Sequence, residues 1–119
     1  MTLNKVLLAL SCALLLSACV SIASKQPMRL SGKQVSEVQE TVRYRMIDPT
    51  STMFRNIRGY DAVLTDGKPY QFICGEVNSK NRMGGYTGFS AFKGRLEGGK
   101  FVLEYVDQMN EYIAASSCS

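Results

Sequence analysis

The sequence predicts an α+β domain, with one N-terminal amphipathic helix packed on an antiparallel meander of about four strands. Val35, Val38, Val42 and Met46 recur at steps of three and four, the period of a helix with one apolar face. Beyond Asn56 the apolar period drops to two, and turn signals divide the chain at Asp66-Gly67-Lys68-Pro69, Gly84-Gly85 and Glu97-Gly98-Gly99-Lys100. At 119 residues, 45% hydrophobic and 20% charged, the chain has the balance of one small globular unit.

Each element has a local reason. The helix starts near Gln34, where Ser31 or Ser36 offers a cap, and it stops at Asp48-Pro49 because the residue before proline avoids the helical region. The run from Asp48 to Phe54 reads as a turn leading into one short helical turn, with Phe54 as a core plug. A first strand is expected over 56–65 on the imperfect pattern Ile57, Tyr60, Ala62, Leu64. The second, Tyr70–Val77, has Tyr70, Phe72 and Cys74 on one face and Ile73 and Val77 on the other. A polar loop runs from Ser79 to Gly85, then a third strand from Tyr86 to Leu96 carries Phe89 and Phe92. Phe101–Val106 is the clearest strand, and a short helix is expected in the tail through Met109, Tyr112 and Ile113. Helix and sheet must cover each other's apolar faces, since neither hides its own.

The N-terminus reads as an address. Lys5 is the only charge in the first 24 residues, and the 11-position apolar run Val6–Leu16 follows it. That is the layout of a signal peptide. A spanning helix needs roughly 20 apolar residues, and the run reaches only 15 when stretched to Val20. Leu16-Ser17-Ala18-Cys19 closes the run and resembles the lipobox of bacterial lipoproteins. The resemblance implies acylation of Cys19 and cleavage just before it. Val20, in place of an aspartate, points by the same resemblance to an outer-membrane protein facing the periplasm. The expected organisation is a signal peptide over 1–18, a lipidated N-terminus and flexible tether over 19–33, and the domain over 34–119.

Composition excludes several chemistries. The chain has no His, which removes imidazole acid/base catalysis, Ser-His and Cys-His nucleophile pairs and imidazole metal sites. No cofactor is expected. The net charge of +4 falls to +3 once Lys5 leaves with the signal, and the cations are scattered. Without a basic run or a reader motif, nucleic acid is not an expected partner. The nearest basic cluster, Arg43, Arg45, Arg55 and Arg58, reads as a solvated face or as a contact for anionic envelope material.

Asp48-Pro49-Thr50-Ser51, Cys74-Gly75-Glu76-Val77-Asn78 and Gly84-Gly85-Tyr86-Thr87-Gly88-Phe89 resemble motifs of a group of small exported bacterial proteins of unassigned function. The resemblance spans roughly residues 35–95 and implies kinship without an activity. In it, Glu76, Asn78, Lys80, Asn81, Arg82 and Tyr86 surround one glycine-containing hairpin, as turn geometry or as a partner-binding surface. Catalysis there would require a second carboxylate brought to Glu76 by folding, with Asp61 and Glu104 as candidates.

Of four cysteines, Cys12 leaves with the signal and Cys19 carries lipid, so Cys74 and Cys118 remain to pair in an oxidising compartment. The function expected is a non-enzymatic lipoprotein, anchored by its lipid, that binds another cell-envelope protein. The alternative is an inhibitor or exclusion module acting on a foreign enzyme or receptor. Changing Cys19 to Ser should leave an unprocessed precursor or release a soluble form. Outer-membrane fractionation of that variant with an unchanged mature mass would refute the lipoprotein reading.

Overall fold

A computed structural model describes residues 19–108 and 110–119. Its core is a five-stranded antiparallel meander in the order β1 (Ile22–Met28), β2 (Met53–Leu64), β3 (Pro69–Asn78), β4 (Ser90–Glu97), β5 (Lys100–Val106). Helix α1 (Gly32–Arg43) lies on one face of the sheet, and α2 (Ile113–Cys118) packs on the other. The α+β meander expected from the sequence is the fold, with one strand more than expected.

That extra strand comes from the segment read as tether. Ile22–Met28 pairs with β2 from Ile22 opposite Leu64 to Met28 opposite Gly59. Most of its side chains are exposed, so no apolar alternation announces it. Its order comes from backbone pairing. Pro27 and Lys25 sit where an edge strand tolerates them, and both discourage further pairing along that edge.

Ser31 caps α1: its hydroxyl accepts from the Gln34 N–H while the Gln34 side chain accepts from the Ser31 N–H. Val38 and Val42 are fully buried and meet Ile73, Val77, Phe92, Phe101 and Leu103. The short helical turn is a 3-10 turn, Pro49–Ser51. Phe54 packs against this core, edge-on to Phe92 at 6.2 Å.

β2 owes its imperfect period to a bulge between Arg55 and Arg58. Phe54 and Ile57 are an odd number of residues apart, so a regular strand would point them to opposite faces. The extra residue places both on the α1 side and leaves Arg55 and Arg58 on the other. Asn56 at the bulge has φ 55°, a left-handed conformation that asparagine tolerates better than most residues. Gly75 lies opposite this bulge beneath the Phe92 ring, where an added Cβ would collide with that ring. A glycine here lets the aromatic side chain lie flat across the strand.

The second face is smaller. Tyr60, Phe72 and Tyr70 stack with centroids 5.0 and 5.4 Å apart, with Lys25 and Lys93 each 5.0–6.0 Å above rings of this trio. Beside them Cys74 and Cys118 form a disulfide, Cα–Cα 6.1 Å, that ties the end of α2 to the central strand. The helix runs Ile113–Cys118, later than the expected tail helix, and Met109 lies outside the described residues. Asp107 serves it as a remote cap: its carboxylate accepts from the N–H groups of Ala114 and Ala115 at 2.7 and 3.0 Å. Third-strand pairing begins at Ser90 instead of Tyr86, because Tyr86 bridges to Lys80 inside the preceding loop.

The bridge closes a ring with a sequence separation of 44, which corresponds to about 4 kcal/mol of loop entropy. That is a large share of the roughly 5–10 kcal/mol available to a domain this size. Denaturant unfolding of the domain carrying both Cys74→Ser and Cys118→Ser should show a loss of this order. A change below about 1 kcal/mol would mean that packing alone holds α2.

Candidate functional site

The three sequence motifs interlock at one end of the sheet. Ser51 donates from its hydroxyl to the Asp48 carbonyl at 2.9 Å and accepts from the Lys80 N–H at 3.0 Å. The Ser79 hydroxyl donates to the same Asp48 carbonyl at 3.3 Å, and the Tyr86 hydroxyl donates to the Ser51 carbonyl at 2.8 Å. Asn81 organises the loop tip, its side-chain oxygen accepting from the N–H groups of Met83 and Gly85 at 2.9 and 3.1 Å. Gly84 takes φ 81° there. The Asp-Pro-x-Ser turn is therefore the floor on which the Gly-Gly-Tyr loop is fixed.

Below the loop, Glu76 forms a second cluster. Arg55 donates to both of its carboxylate oxygens at 3.2 Å, and the Asn56 amide donates to one of them. Arg58 donates to the Asn56 carbonyl at 2.8 Å and to the Tyr60 hydroxyl at 3.0 Å. The Arg55 guanidinium also lies 3.9 Å from the Phe89 ring centroid. Hydrogen bonds from Arg55, then from Asn56, hold the Glu76 carboxyl below the usual carboxylate range. The β2 bulge produces this arrangement by turning Arg55 and Asn56 together toward Glu76.

Glu76 is thus a charged acceptor clamped by Arg55 and the Asn56 amide. Asp61 is exposed on β2 opposite Gln71, and Glu104 accepts from the Tyr70 hydroxyl at 3.1 Å. Burial, with Glu104 second, pushes that phenol up to about 12. The carboxylates that share a groove with Glu76 are Asp107, occupied in capping α2, and Glu111, which accepts from the Gln108 N–H at 3.3 Å.

The six residues singled out in the sequence separate in space. Glu76 is held by Arg55 and Asn56, and Asn78 is buried with its side-chain oxygen unpartnered. Lys80 and Tyr86 form the bridge, with the ammonium 5.8 Å from the ring. Asn81 is the loop hub, and Arg82 is exposed at the tip. The basic cluster read from the sequence does not assemble. Arg43 pairs with Glu40 and lies over Phe54 at 5.6 Å on the α1 side, whereas Arg55 and Arg58 occupy the opposite face.

Sequence reading missed the groove beside the loop. It has a volume of about 560 Å³, between Arg45–Ile47 after α1, Ser79–Asn81 and Thr87–Gly88 of the loop, and Tyr105–Gln108 at the end of β5. Large apolar side chains stand exposed around it and the loop: Ile47 at 63%, Met83 at 94%, Tyr105 at 49% and Tyr112 at 69%. No protein family, curated protein or solved structure matches this chain. What this end offers must be read from its own residues: a rigid loop, an apolar rim and cations beside them.

Replacing Glu76 by Gln should lower stability by about 0.5–1 kcal/mol at neutral pH, the range for an exposed but bidentate pair. Because the folded carboxyl ionises below its ordinary range, its contribution is complete above that range and is lost as pH falls from there through the lowered folded value. Denaturation curves of parent and variant should therefore separate at neutral pH and converge only in acid, once the folded carboxyl is itself protonated. A gap that persists in acid would show that the Arg55–Glu76 charge pair is not its source.

Proposed function

We propose that this chain is a non-enzymatic outer-membrane lipoprotein whose domain binds another cell-envelope protein through the loop end of its sheet. One observation carries the binding reading: exposed Ile47, Met53, Met83, Tyr86, Tyr105 and Tyr112 all belong to the end where β2 begins and β3 and β5 finish. Single exposed apolar residues are ordinary on a protein surface, but a concentration of them at one end marks an interaction site. Arg45, Lys80 and Arg82 stand among them with no ion-pair partner among the described residues. A partner presenting an acidic segment with apolar anchors complements this surface.

The loop network favours the same reading. A segment held by Ser51, Ser79, Asn81 and Tyr86 keeps its shape before a partner arrives, which reduces the ordering cost of association. The clamped state of Glu76 and the capping duty of Asp107 support binding over proton-transfer chemistry. The anchor reading rests on Leu16-Ser17-Ala18-Cys19; residues 1–18 lie outside the described residues, and Cys19 is an exposed free thiol in the structure.

Photo-crosslinking in the native bacterium tests the proposal. A photoreactive residue at position 47 or 83 should give one discrete protein adduct, and one at Val63 or Lys100 should not. The adduct should weaken with Arg45→Glu and Arg82→Glu together. No adduct from either loop-end position, or the same adducts from all four, would refute it.

A further inference from the structure

The strand that replaces the expected tether fixes how far the domain stands from its anchor. Hydrogen bonding continues one residue beyond the two strands: the Ser21 N–H donates to the Thr65 hydroxyl at 3.1 Å, and the Thr65 N–H donates to the Ser21 carbonyl at 2.8 Å. Only Cys19 and Val20 precede this pinned residue in the proposed mature chain, and two extended residues span at most ~7 Å. That is shorter than the Debye length of about 8 Å at physiological ionic strength. A lipidated Cys19 therefore brings the nearby end of the sheet within contact of the headgroups.

That end has its own character. It holds the β2–β3 turn at Asp66–Lys68 and the β4–β5 turn at Gly98-Gly99. Lys68 and Lys100 are exposed there without ion-pair partners among the described residues, whereas Glu97 is paired with Arg95. Asp66, also exposed, accepts from the Lys68 N–H through its carboxylate at 3.0 Å. Val20 and Val63 are exposed beside the anchor at 50% and 44%. β3 runs ten residues from this end to the loop end, a rise of roughly 30 Å.

Resting on the lipoprotein reading above, we propose that the domain stands upright on the membrane. Its turn end, with Val20, Val63, Lys68 and Lys100, meets an anionic lipid surface, and its loop end is held roughly 30 Å outward as a rigid spacer. Short linkage sets the height, apolar contact and lysines set the orientation. The partner at the loop end must then reach within a few tens of ångströms of the same membrane.

The test uses the full lipidated protein in vesicles of phosphatidylethanolamine and phosphatidylglycerol carrying a headgroup quencher. With Cys19 acylated and Cys74 bonded to Cys118, a cysteine introduced as Lys68→Cys or Met83→Cys is the only free thiol for a fluorophore. Quenching should be at least about threefold stronger at position 68, given the roughly 30 Å difference in height. A flexible six-residue Gly-Ser insert between Val20 and Ser21, with about 13 Å of slack, should erase most of that contrast. Equal quenching at the two positions in acylated protein overturns the upright orientation alone, and a contrast that survives the insert overturns the short linkage as what holds the domain upright. An intact mass without acyl chains overturns the lipoprotein reading and the orientation with it.

Discussion

Ile73 and Val77 point to one side of β3 while Phe72 and Cys74 point to the other, and all four are buried. A strand apolar on both faces cannot lie on a sheet with one solvent side, so it requires two covers. The large cover is α1, which brings Val38 and Val42 onto the face completed by Phe92 and Phe101. The small one is a six-residue helix that is too short to hold itself. It is held by the disulfide to Cys74, by Asp107 at its start and by Lys25, whose ammonium donates to the Ser119 carbonyl at 2.8 Å. The bridge thus closes the second face of the core as well as restraining the chain end.

The β2 bulge links this packing to the surface. Shifting the register by one residue lets Phe54 and Ile57 share the α1 face and sends Arg55, Asn56 and Arg58 to the other. The cations that result are absorbed locally, by Glu76, by Phe89 and by the Tyr60 hydroxyl. Cations without an ion pair among the described residues include Arg45, Lys80 and Arg82 at the loop end and Lys68 and Lys100 at the turn end, where the proposed contacts with a protein and with lipid lie.

A hydrogen-bonded loop and an edge strand answer different mechanical needs. The Asp48–Ser51 floor gives the Gly-Gly-Tyr loop a fixed shape, and β1 fixes the segment that follows Cys19 against the sheet. On the proposed reading the domain is a stiff post, held at one end by lipid and presenting an apolar rim at the other. A long flexible leash would instead dilute the binding end through a large volume and lower its effective concentration at the membrane.

Local patterns in the sequence determined much of this protein. The three- and four-residue spacing of valines set α1, the glycine turns set the hairpins, and the two-faced apolar run of β3 required its double burial. Elimination among four cysteines named the pair that bonds. Tertiary structure alone decided the rest. Ile22–Met28 carries too few apolar residues to show a period, so its strand exists only because β2 offers unpaired backbone groups. The bulge was hidden because a strand's period cannot reveal the residue that interrupts it until its partner supplies the register. The candidate site divided in the same way. The motif residues were visible one by one, but their roles as floor, hub and clamp came from hydrogen bonds between segments up to 35 residues apart. The exposed rim formed by Ile47, Tyr105 and Tyr112 was invisible in one dimension, because only the antiparallel meander brings those chain segments to one end of the sheet.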